Sequence, residues 1–143
     1  MKKMIKRLRC QKGVAAIEFA IVLPLLMIIL FGIIEFGLLL YDKQVITNAS
    51  REGARIGISD VAVSDADIEA VVGNYIASNL ITFGTTPSSP VTTIEPADRT
   101  GMGFGDDVTV TVVYDYDFLI IPDILVGFTG VQTLATKTVM KMQ

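Results

Sequence analysis

The feature that most constrains this chain is an apolar run that starts at Val14 and continues to Tyr41, interrupted only by Glu18, Pro24 and Glu35. Between the two carboxylates, residues 19–34 carry no charge. As a helix that stretch rises ~24 Å, a little less than the ~30 Å hydrocarbon core of a bilayer. The apolar residues on either side complete the crossing and place each Glu near an edge of the membrane, where a carboxylate costs less than at the centre. The chain is 51% hydrophobic and 19% charged. That is too apolar for an ordinary soluble domain, so part of the surface must face something other than water. A buried helix in the core of a soluble protein is the plainer alternative; the length of the run and the basic cluster before it argue against that. A cleaved secretory signal would have an apolar region of roughly 7–15 residues closed by a small-x-small site. This run is longer and no such site closes it before Tyr41, so the segment is predicted to remain as an anchor.

Charge gives the orientation. The net charge of −3 conceals a basic tip on an acidic body. Lys2, Lys3, Lys6, Arg7, Arg9 and Lys12 stand in residues 1–13 with no acid, whereas the remainder holds all 15 acidic side chains. Lys43 is the only basic residue just beyond the span. The positive-inside rule therefore predicts a cytoplasmic N-terminus and an extracytoplasmic C-terminal part, and the basic tip suits a membrane face rather than nucleic acid. There is no His, and the single Cys, Cys10, lies in the tip. Disulfide scaffolds, Cys/His metal sites and His- or Cys-based catalysis are not expected once the tip is removed, and no metal or other cofactor is implied. Cys10 does not read as a lipidation site, because basic residues rather than an apolar stretch precede it.

Beyond the span, residues 42–58 continue the helical pattern. Val45, Ala49, Gly53 and Ile56 fall near one face, with Thr47, Ser50, Arg51 and Arg55 largely elsewhere. Ala49, Gly53 and Gly57 form a stripe of small residues that admits the close approach of another backbone. Packing against the protein's own sheet explains the stripe equally simply and is slightly preferred. Arg51 and Arg55 are expected to be solvated or structurally paired. A second helix is predicted over residues 65–80, with Ser64 as N-cap, acids in its first turn, and Ile68, Val71, Val72, Tyr75, Ile76 and Leu80 in helical phase. Residues 82–107 read as a long loop with room for a short strand at 91–94. In the run DVTVTVVYDYDF, Val108, Val110, Val112, Tyr114, Tyr116 and Phe118 point one way and Thr109, Thr111, Asp115 and Asp117 the other. One face of that strand is predicted to be core and the other solvated. Residues 118–128 are predicted to be a connection tucked under the sheet, and residues 131–142 a final strand offering Leu134, Met140 and Met142 to the core. The expected fold class is α+β: a long N-terminal helix, half spanning the membrane and half in the folded domain, a second short helix and a small antiparallel sheet.

The string K-G-V-A-A-I-E-F-A-I-V-L-P, from Lys12 to Pro24, resembles the class III signal of type IV pilins and pseudopilins. The resemblance implies cleavage between Gly13 and Val14 by prepilin peptidase, a membrane aspartyl protease acting on the cytoplasmic side, with N-methylation of Val14 as in related pilins. The chemistry suits the residues. Gly13 lets the scissile backbone enter a tight cleft, the basic leader is held by anionic lipid, and a cut before the apolar run leaves the anchor in place. The Glu18-Phe19 pair, the Pro of A-I-V-L-P and the segment A-S-R-E-G-A-R from Ala49 to Arg55 are similar to the TadE-like pseudopilins of tight-adherence (Flp, type IVb) pilus systems. T-V-T-V-V-Y-D-Y and T-L-A-T-K-T-V-M extend the likeness, which is thin over residues 60–105. The chain lacks the Cys pair that some secreted pilin domains use as a staple.

The resemblance implies three parts: a cleaved basic leader at 1–13, a transmembrane helix at 14–41 and an extracytoplasmic α+β domain at 42–143. It implies a minor pilin of the bacterial inner membrane, since the major Flp pilin is much shorter after cleavage. Expected partners are prepilin peptidase, sister pseudopilins, the major Flp pilin, the inner-membrane assembly platform and the lipid bilayer. Glu18 is either an incidental interfacial carboxylate or the partner of the new α-amine of Val14, on its own or a neighbouring subunit; the second is favoured, because an acid in an apolar helix is costly alone. Glu35 is expected at the outer interface with no special role. No nucleophile with a base and no convergent acid/base pair can be named, so an enzyme is not expected. The alternative is an uncleaved, signal-anchored envelope protein that binds through its external domain.

Overall fold

The computed structural model describes residues 11–59, 63–81, 89–118 and 132–142. The first element, α1 (Gln11–Gly57), is one helix that passes through Pro24 without a break. An apolar helix in lipid tolerates such a proline better than a soluble helix does. The second, α2 (Asp65–Asn79), begins with a capping box: Ser64 Oγ accepts from the Asp67 N–H at 3.2 Å, and the Asp67 carboxylate accepts from the Ser64 N–H at 3.1 Å. The Ser64 hydroxyl, donating to the Asp67 carboxylate at 2.6 Å, and secondly the Ser64 N–H hold the Asp67 carboxyl below the usual range. Ile68, Val72 and Ile76, each one helical turn after the last, are its buried line.

Three strands follow: β1 (Val91–Glu95), β2 (Asp107–Tyr116) and β3 (Gln132–Lys141). They form an antiparallel sheet in the order β1-β2-β3. Val91 faces Val113 and Glu95 faces Thr109 on one side of β2; on the other, Val108 faces Met140 and Tyr116 faces Gln132. The expected alternation holds in β2, where Val108, Val110, Val112, Tyr114 and Tyr116 are all buried. Thr109 is buried too, since it lies in the central strand between Glu95 and Val139. The fold is α+β, as the pattern predicts. The short strand in the long loop is present and reaches Glu95, and α2 ends one residue before the predicted end. In the last strand Leu134 and the following Met142 are buried, with Met140 partly so. The expected connection over 118–128 lies outside the described residues after Phe118, as does Val131 at the predicted start of the last strand.

The core is a sandwich of helices on one face of the sheet. Ile46, Ala49 and Ala54 of α1 and Ile68, Val72 and Ile76 of α2 pack with the inward residues of β2 and with Leu134. The distal half of α1 is thus a wall of the folded domain.

Candidate functional site: the N-terminal helix and its junction with the folded domain

Residues 13–34 of α1 are almost wholly exposed, among them Val14, Ile17, Phe19, Ile21, Leu25 and Ile33. The apolar window within α1 is long enough to cross a membrane, and none of it is buried inside the protein. A core helix would be covered, and a secretory signal would not continue into the core of the domain it precedes. Gly13, Val14, Glu18 and Phe19 all lie on this uncovered part, with both residues of the Gly13–Val14 bond in its first turn.

The small-residue stripe lies on the other half of the helix, and its own chain fills it. Ala49 is fully buried. A Cβ added at Gly53 would come within 2.6 Å of Val72 Cγ2, and one at Gly57 within 3.1 Å of both Ile68 and Val108. The glycines therefore let α2 and β2 approach the α1 backbone. Ser50 corrects the expected rotation of this face. Placed off the core from sequence, it is fully buried, with Oγ 2.7 Å from Thr138 Oγ1 and donating to the Thr47 carbonyl at 2.9 Å. One local hydrogen bond and one to a distant strand let a hydroxyl occupy a core position. Arg55 is exposed and pairs with Glu52, while Arg51 is exposed.

Glu35 is the second correction. It is not an unremarkable interfacial carboxylate: only 1% of it is exposed, and Oε1 accepts from the Tyr116 hydroxyl at 2.9 Å. Burial first, and the Glu35 carboxylate second, raise the Tyr116 hydroxyl well above its ordinary value, so it remains a donor. The Tyr116 ring in turn meets Phe118 edge-on, with centroids 5.6 Å apart. Roughly two turns further along the same face, Asp42 is fully buried. Its Oδ1 accepts from the Ile81 N–H at 3.3 Å, and its Oδ2 has no hydrogen-bond partner among the described residues. Burial pushes the Asp42 carboxyl above the ordinary range, against the smaller lowering effect of the Ile81 N–H. Beside it the Tyr41 hydroxyl donates to the Asn79 carbonyl at 3.2 Å. Two buried carboxylates and two tyrosines thus lock the end of β2 and the end of α2 onto α1. Extending the Val45–Ala49 face backwards along the helix reaches Asp42, Leu38 and Glu35, so the phase was present in the sequence.

Arg99 was also missed. It is 6% exposed, bonds the Val63 carbonyl and lies 2.7 Å from Asp65, which ties the loop after β1 to the start of α2. A lone basic residue in a polar loop gives no periodic signal.

No group of His, Cys, Asp and Glu among the described residues has the arrangement to hold a metal ion. Comparison with curated proteins and with solved structures gave no match. Residues 13–55 match the family described as TadE-like protein. That stretch contains the Gly13–Val14 bond, Glu18, the uncovered apolar helix, the α1 side of the buried junction and most of the small-residue stripe, and over it the chain is similar to the TadE-like family.

Proposed function

We propose that this protein is a minor pilin, or pseudopilin, that takes part in assembling a Tad-type (Flp, type IVb) pilus and is cut by prepilin peptidase after Gly13. The observation that carries this reading is the coincidence of the TadE-like match with a helix of two characters, uncovered and apolar over residues 13–34, then built into a folded domain. Such a helix can be stored in a bilayer and later withdrawn into contact with other apolar helices, since both surroundings satisfy its surface. On this reading the chain is a substrate of the peptidase and not itself an enzyme. It sits in the inner membrane with its N-terminus in the cytoplasm and its domain outside, in contact with sister pseudopilins, the major Flp pilin and the assembly platform.

Glu18 then has a role after cleavage. The cut creates a charged amine at Val14, one turn before the carboxylate, and in apolar surroundings each charge is costly without the other. Apolar helices slide past one another at little cost, whereas a buried charge pair accepts few positions and so sets register between subunits. The test is the mature N-terminus. Terminal sequencing of protein extracted from membranes of a host with the peptidase should begin at Val14. A chain still starting at Met1 there would overturn the processed-pilin reading in favour of an uncleaved anchor.

A further inference from the structure

Resting on the membrane reading above, we propose that the face of α1 carrying Phe36, Leu40 and Tyr41 is seated in outer-leaflet lipid. The helix then leaves the bilayer about 10 Å later on this side than on the side carrying Glu35. The two sides of α1 differ over this interval. On one, Glu35, Asp42, Val45 and Ile46 are covered by the protein's own domain. On the other, Phe36 is 61% exposed, Leu40 51% and Tyr41 45%. Gly37, between them, has nothing within 4 Å of an added Cβ.

Three observations favour lipid as the occupant. This face continues the exposed apolar surface of residues 14–34 without a polar break, because Glu35, the only charged residue between Glu18 and Asp42, is on the covered side. The chemistry then changes at one level: above Tyr41 this face carries exposed Gln44 and Arg51 and half-buried Asn48, with Gln44 donating to Asn48 at 2.9 Å. An apolar surface that gives way abruptly to polar side chains marks a water line. Lastly, Tyr41 has an exposed ring and a hydroxyl tied to Asn79, and Ile81, whose N–H reaches Asp42, is 38% exposed. An amphipathic aromatic at this height, with an apolar neighbour from the end of α2, suits the interfacial layer. The helix α1 is therefore tilted toward the face carrying Phe36 and Leu40, with Tyr41 and the end of α2 at the level of the interfacial layer.

The chain contains no Trp, so single-Trp variants report one position each. The full chain carrying Ile29→Trp, Phe36→Trp, Leu40→Trp or Gln44→Trp is reconstituted in phosphatidylcholine–phosphatidylglycerol vesicles whose lipids are brominated either near the carbonyls or near the methyl ends. The Ile29→Trp variant should lose emission to deep bromines, the Phe36→Trp and Leu40→Trp variants to shallow bromines with blue-shifted emission, and the Gln44→Trp variant to neither. If Ile29→Trp is quenched while Phe36→Trp and Leu40→Trp are not, the face lies outside lipid and the proposal falls while the anchor stands. Quenching at 36 and 40 that emerges only as protein is diluted in lipid would assign the face to a second copy and overturn the proposal equally. If Ile29→Trp is also unquenched, the membrane reading itself fails.

Discussion

Both halves of α1 carry apolar side chains, and the fold treats them in opposite ways. Over residues 13–34 the large apolar side chains are exposed, whereas over the distal half Val45, Ile46, Ala49 and Ala54 are buried against α2 and the sheet. The glycines show the same split. Gly32 and Gly37 have open space where a Cβ would go, while Gly53 and Gly57 are pressed by Val72, Ile68 and Val108. Hydrophobicity alone therefore does not say what a helix is for. In the first half it matches a solvent, and shape is free; in the second it matches particular neighbours, and each methylene has an assigned place.

The largest test of this contrast uses the sheet that covers the distal half. Val110 is fully buried in β2, and Val110→Asp would bury a charge with no partner, costing about 4 kcal/mol or more. Thr111→Asp, on the opposite face, should cost about 0.5 kcal/mol or less. Limited proteolysis and thermal unfolding of the full chain in detergent should separate the two; equal resistance would mean that the covered and open faces of the sheet are misassigned.

Next comes the helix itself. Gly53→Val adds a side chain where even a Cβ meets Val72 Cγ2 at 2.6 Å, so overpacking of about 1–3 kcal/mol is expected. Gly37→Val, in open space, should leave the domain's melting temperature where it was. A shift of similar size in both variants would abolish the distinction between a helix fitted to neighbours and one fitted to solvent.

The boundary between the halves is tested by two glutamates. Glu35→Ala removes the carboxylate that accepts the Tyr116 hydroxyl and leaves a buried donor short of its acceptor, a cost of about 1–3 kcal/mol. Glu18→Ala touches only the exposed half and should leave domain stability unchanged while lowering crosslinking to other pilin subunits and pilus yield. If Glu18→Ala assembles like the parent at equal membrane level and processing, the register role proposed for Glu18 is lost.

Most of the fold was legible because it is written in periods. The alternation from Val108 to Tyr116, the turn-spaced Ile68, Val72 and Ile76, and the cap at Ser64 each need only their own neighbourhood in the chain. The uncovered apolar half of α1 was legible for the same reason. What escaped depends on partners distant in sequence. Ser50 is core because Thr138 lies opposite; Glu35 is buried because Tyr116 arrives above it; Arg99 is held by Asp65 and the Val63 carbonyl. A polar residue in an apolar phase reads as a surface position until the group that satisfies it is known.

The smallest expected effect belongs to Asp42, about two turns into the covered half. Its carboxyl is buried and raised, so the folded state holds this proton more tightly than the unfolded chain does. Stability then falls as pH rises, starting near the ordinary value of 3.8 and ending once the pH passes the raised folded value. Above that point the full cost of an ionised, half-satisfied carboxylate is present; below 3.8 none of it is. The groups that feel its charge are Tyr114 and Tyr116 on β2. The informative quantity is the difference between the parent and Asp42→Asn. That substitution keeps the shape and an acceptor for the Ile81 N–H but carries no charge at any pH. The gap in melting temperature should therefore shift in favour of the variant as pH rises through this window, measured on the full chain in one detergent at constant ionic strength. Two profiles that stay parallel would mean that Asp42 is hydrated or paired in solution.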